Sequence, residues 1–163
     1  MNAKDAVRST MNTADFMVEG YLSDITPQEM FVRPAAGANH LAWQLGHLIS
    51  AETRLVETAA PGSMPALPEG FAERHTKDTA ASDNPADFLC KDEYFKLAKI
   101  VRAATLKALE NISDSDLEKP VTGRVPPFVK RGVDCFVTAG GHWILHAGQW
   151  VILRRHLGRD RKF

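Results

Sequence analysis

Cysteine is scarce in this chain: 163 residues hold only Cys90 and Cys135. The two stand far apart with no C-x-x-C pair, which excludes a disulfide framework and a cysteine-rich zinc cluster and leaves both expected as buried thiols. Net charge is missing as well, since 20 lysines and arginines balance 20 aspartates and glutamates. No overall field then draws the protein to nucleic acid, to an anionic membrane or to an acidic substrate. There is no long apolar run either. The opening "MNAKDAVRSTMNTADFMVEG" carries charges throughout, unlike a signal peptide or a membrane span, so a soluble cytoplasmic protein is expected. A glycine-rich phosphate loop with lysine, internal repeats, low-complexity tracts and strand-period runs are also absent.

What is present is helical periodicity on a chain of single-domain length, so residues 1–163 are read as one domain. Val7, Met11, Ala14, Met17, Val18, Tyr21 and Leu22 recur at three- and four-residue steps and predict a helix over about 3–23. Asn39 is a candidate N-cap for a second helix running to about Ala59. Residues 61–84, rich in Pro, Gly, Ser and Asp, read as a long connection. Pro85 fits the first turn of a third helix, and "SDSDLEKP" has the capping pattern of a short helical turn. A fourth long helix is predicted over about 133–157, closed by basic residues and Gly158. The expectation is an all-α four-helix bundle, in which the long link between the second and third helices acts as a crossover that leaves those two parallel.

The chemistry concentrates in "GGHWILHAGQW", residues 140–150. Residues four apart on a helix lie one above the other, so His142 and His146 can turn both rings to one point. By itself the pair is more readily explained as core. His47, in the apolar run "WQLGHLIS" of the second helix, is the candidate third ligand; alternatively each ring is a structural histidine with both nitrogens hydrogen-bonded. The spacing is close to H-E-x-x-H, but Trp143 stands where that motif has its glutamate, so a zincin mechanism lacks its base. Three histidines without a carboxylate would leave an open coordination position. Gln149, on the same face, is a candidate to orient a ligand or substrate. His40 is expected to cap its helix or to contact solvent, His75 lies in the long connection, and His156 suits the helix dipole. Gly140 and Gly141 point to close approach of backbone or ligand, or else to tight helix packing or a late helix start.

Taken in order, "RPAAGANHLAWQLGHLISAE", "ISDSDLEKPV" and "HWILHAGQWVILRRHLG" resemble the DinB-like superfamily, whose relatives include bacillithiol- and mycothiol-dependent S-transferases. The resemblance implies an up-down-down-up bundle, often a homodimer, with a divalent metal held at His47, His142 and His146. It departs from the family at His40, where members often have Ser or Thr, and at Gly140-Gly141. It implies a metal-dependent enzyme acting on a small molecule, with Zn²⁺ or Ni²⁺ and a low-molecular-weight thiol as cosubstrate, or alternatively a hydrolase. The rival from another class is a non-catalytic, stress-related bundle that binds metal or a small ligand.

Overall fold

Each amphipathic run becomes a helix in the computed structural model, which describes residues 2–160 and 162–163. The helices are α1 (Ala3–Leu22), α2 (Leu41–Ala59), α3 (Lys91–Asn111), the short α4 (Asp114–Glu118) and α5 (Gly132–His156). No strand occurs among the described residues; an isolated bridge pairs Pro120 with Arg131. The fold is all-α.

Caps set the boundaries. Asn2 accepts from Asp5 N, and the Asp5 carboxylate answers at Asn2 N. α2 begins one residue later than the Asn39 cap predicts. His40 is the N-cap, its Nδ1 accepting from Trp43 N at 3.1 Å, while Asn39 uses its carbonyl to receive Gln44 Nε2. The third helix also starts later than expected. Pro85–Asp87 is a separate 3-10 turn capped by Asn84, Phe88 returns to extended backbone, and α3 starts at Lys91. Cys90 occupies its N-cap and is exposed, contrary to the buried thiol expected, because a cap lies at the surface end of a helix. Cys135 is buried, and burial raises its thiol pKa to about 11.

α1 packs along α5, α5 along α2, and α2 along α3, whereas α1 and α3 scarcely touch. Two apolar clusters fill the interior, one around Leu22, Ile49, Tyr94 and Trp150, the other around Met11, Val56, Leu109 and Phe136. Gly140 belongs to the α1–α5 contact. A β-carbon there would lie 3.3 Å from the Met11 and Thr10 side chains and 3.6 Å from Met11 N, so the glycine serves the close packing of α1 on α5. At Gly141 a β-carbon would meet nothing.

The long connection does not hang free. It folds back over the start of α2, burying Phe71 and His75, and Arg33, itself fixed to Ala38 O, clamps it by donating to Ala80 O and Asp83 Oδ1 at 2.7–2.8 Å. His40 Nε2 adds a 3.0 Å hydrogen bond to Ser82 O. These contacts fix the segment beside His47. The C-terminal ends of α1 and α5 are joined by Arg154, 2 % exposed, which donates to Tyr21 O and to both Asp24 oxygens.

Candidate metal centre

His47 projects from α2, and His142 and His146 from successive turns of α5. One ring nitrogen of each lies within 4.8 Å of the others. Ring centroids are 5.0 Å apart for His47 and His142, 4.9 Å for His142 and His146, and 5.8 Å for His47 and His146. Trp43, one turn before His47, stacks flat on its ring at 4.8 Å with an interplanar angle of 8°. That contact limits the directions in which His47 can turn.

The protonation pattern at His146 follows from its neighbours. Trp150 Nε1–H can only donate, and it donates to a Gln44 side-chain atom at 3.0 Å, which must therefore be the amide oxygen. The same oxygen lies 2.9 Å from His146 Nδ1, so Nδ1 carries the proton. Gln44 Nε2 donates to Asn39 O at 2.7 Å, consistent with this orientation. Nε2 of His146 is left with its lone pair free, the form a metal requires.

Burial also keeps the rings neutral. It lowers the His146 pKa to about 3, with the positive forms of His142 and His47 adding to the effect, and lowers His142 to about 4, helped by His47 and Arg54. His47 is lowered too, chiefly by burial, with the His75 backbone pulling the other way. Three neutral imidazoles converging without a carboxylate form a donor set that suits Zn²⁺, Ni²⁺ and related ions. A tetrahedral ion with bonds of ~2.0–2.1 Å needs its nitrogens about 3.4 Å apart. The nitrogens lie within 4.8 Å of one another, and the all-imidazole donor set is of the kind such an ion takes, so the residue types fit it.

The other histidines are tied up elsewhere. His75 is 3 % exposed, with Nδ1 2.7 Å from Phe71 O and Nε2 2.7 Å from the Tyr94 hydroxyl. Nδ1 therefore donates and Nε2 accepts, a satisfied core histidine whose pKa burial depresses to about 4. His40 is fully buried in its capping role rather than in contact with solvent, and His156 is exposed. Gln149 is exposed, and the side chain that holds His146 is Gln44 instead. A buried glutamine in "HLAWQLGHLIS" needs partners, which is the one signal in the sequence that points to it.

Glu52 and Arg102 also lay outside the sequence reading. Glu52 Oε2 accepts from Trp143 Nε1 at 2.7 Å and from Arg102 Nη2 at 3.1 Å, all within the core. Trp143, at the position of the missing glutamate, is thus anchored to a carboxylate that does not belong to the histidine cluster.

The model of the DinB superfamily matches residues 14–150, a span that contains all three histidines and Gln44. The chain belongs to the DinB superfamily. No curated protein matches it. Among the sequence features expected of a DinB protein, the Arg33-Pro34 pair acts through the clamp on the long connection, and the fourth-helix "HxxxHxGQ" run acts through the two rings that face His47.

Proposed function

We propose that this DinB protein is a divalent-metal-dependent enzyme, a thiol S-transferase or a hydrolase, with His47, His142 and His146 as ligands of Zn²⁺ or Ni²⁺. The observation that carries the reading is the gathering of three neutral imidazole donors within 4.8 Å, with His146 Nδ1 already committed to Gln44. Such an ion, when bound, supplies a Lewis acid at an open position that lowers the pKa of a thiol or a water molecule.

The chain's own residues orient and desolvate. Gln44 holds the His146 ring in one tautomer, Trp43 backs His47, and Trp43 Nε1 donates to Thr76 O of the covering segment at 3.1 Å. No carboxylate belongs to the cluster, and the nearby Glu52 is engaged with Arg102 and Trp143, so the protein brings no evident general base. Chemistry in which the nucleophile's proton is already weakly held suits such a site best, and a thiol loses its proton more readily than water does. Family resemblance points the same way. Fold likeness alone does not carry a reaction, which is why the test must be enzymatic.

The arrangement proposed for the four long helices is the up-down-down-up bundle, with residues 60–90 as the crossover. A small-molecule substrate, a cytoplasmic setting and a homodimer belong to the same proposal. The test is loss of free thiol against a panel of electrophiles, with ester and amide hydrolysis measured alongside, in metal-loaded wild type and in His142→Ala. Metal-dependent thiol loss abolished by the substitution is the expected result. Hydrolysis alone would reassign the reaction, and no turnover in either assay would favour a non-catalytic metal-binding protein.

A further inference from the structure

The poorly packed seam between α1 and α3 opens into a cleft of about 550 Å³, inside the ~300–1,000 Å³ range of small-molecule sites. None of the three clustered histidines lines it. Phe95, Ala98 and Leu106 from α3 and Trp143 from α5 give it an apolar wall, while Glu19 from α1 and Asp92 from α3 put carboxylates in its lining. Arg102 lies among them, 7 % exposed, its guanidinium 5.9 Å from the Trp143 ring centroid.

Arg102 is incompletely satisfied. Nη2 reaches Glu52, but Nε and Nη1 have no hydrogen-bond acceptor, and Glu52 Oε1 has no donor. The nearest other carboxylate is Asp15 Oδ1 on the α1 rim, 3.5 Å from Nε and too long for a hydrogen bond. The Asp15 side chain is 47 % exposed, so it can swing away into water. Buried donors without acceptors are costly unless something completes them. Planar guanidinium groups bind carboxylate and sulfonate-like oxygens through paired N–H bonds.

We propose that the cleft between α1 and α3 is a second binding site, one that takes a small amphipathic anion: a carboxylate or sulfonate on an apolar or aromatic body. The acidic head displaces Asp15 from Arg102, and the body packs on Phe95, Leu106 and Trp143. Lys99, exposed on the α3 rim with no carboxylate partner among the described residues, adds a positive charge at the entrance. Asp15 then acts as a competitor held over the site. Because the cleft and the three-histidine cluster share no side chain, this site stands whether or not the cluster binds metal.

The probe is 8-anilinonaphthalene-1-sulfonate, titrated by fluorescence against the full chain, with near-UV circular dichroism confirming native packing of each variant. Saturable binding of one equivalent is expected, displaced by 3-phenylpropionate but not by phenethylamine. Ala98→Trp, which fills the cleft, weakens binding at least tenfold; Arg102→Lys weakens it several-fold; Asp15→Asn tightens it several-fold. His146→Ala leaves it unchanged. Lack of binding by folded wild type, equal displacement by the amine, or undiminished binding in folded Ala98→Trp would overturn the proposal, as would weaker binding in folded Asp15→Asn. If Arg102→Lys does not fold, the Ala98→Trp and Asp15→Asn pair decides.

Discussion

Gln44 and His146, 102 residues apart in sequence, meet through a 2.9 Å hydrogen bond whose direction Trp150 fixes from the other side of the same oxygen. This relationship joins α2 to α5 and leaves His146 Nε2 free at the centre of the cluster. It also makes Gln44 a positioning residue for the proposed metal site.

Replacement of Gln44 by alanine releases the ring and leaves Trp150 Nε1 without an acceptor. Zn²⁺ affinity should fall roughly 10–100-fold, and stability by about 1–3 kcal/mol. Gln44→Glu keeps an acceptor for both donors and should retain affinity far better. Competition titration against a chromophoric chelator measures the first effect and thermal unfolding the second. Equal affinities in wild type and a folded Gln44→Ala would show that the hydrogen bond does not prepare His146.

The depressed histidines give the metal-free protein a defined acid sensitivity. His75, His142 and His146 have folded-state pKa values near 4, 4 and 3, below the unfolded value of about 6.5. Above pH 6.5 both states are neutral at these sites, and the stability their burial allows is fully present. As pH falls below 6.5 the unfolded chain takes up protons that the folded one refuses, so stability declines until pH passes the folded values. Each such proton contributes a slope of about 1.4 kcal/mol per pH unit. Urea unfolding at several pH values between 7 and 4 measures it, and a flat profile across that window would contradict the burial argument. His75→Gln should reduce the slope by close to one proton.

The glycines separate into two kinds. A β-carbon at Gly46 would sit 2.1 Å from the His75 ring, whereas at Gly141 and Gly148 it would meet nothing. Gly46→Ala should therefore destabilise by about 1–3 kcal/mol by displacing His75. Gly141→Ala and Gly148→Ala should each stabilise α5 by roughly 0.5–1 kcal/mol. Thermal melts of the three variants test the contrast, and the same sign for all three would refute it.

Most helix boundaries were legible from spacing and caps, because α1, α2 and α5 repeat apolar residues at helical steps and carry recognisable ends. The start of α3 was not, since Pro85 fits a helical first turn as well as it fits the 3-10 turn that Asn84 closes. His47, His142 and His146 could be named because two share a helical face and the third sits in an apolar run. Gln44 could not be paired with His146, since their contact depends on how two helices pack and no local period records it. Gln149 shares the face of His142 and His146 by spacing, but helical spacing alone cannot say how far around that face α2 lies. His75 looked like a loop residue because its segment has no period, yet the Arg33 clamp folds that segment onto α2.

The buried pair of Glu52 and Arg102 offers a fourth test. Removing one charge by Arg102→Met strands a carboxylate that is 1 % exposed, at a cost of about 3–5 kcal/mol. Changing both, as Glu52→Gln with Arg102→Met, leaves an oxygen for Trp143 Nε1 and should cost much less. Chemical denaturation of the single and double variants reads the difference, and equal losses would show that the pair is not coupled.

The central claim is that the three histidines bind a divalent ion together. Its most direct test is the metal content, by plasma mass spectrometry, of protein purified without a histidine tag and incubated with Zn²⁺ or Ni²⁺, compared with folded His47→Ala and His146→Ala. Close to one equivalent in wild type and a loss of most of it in both variants is the predicted result. Wild type that retains no metal after either incubation, or variants that retain as much as wild type, would contradict it.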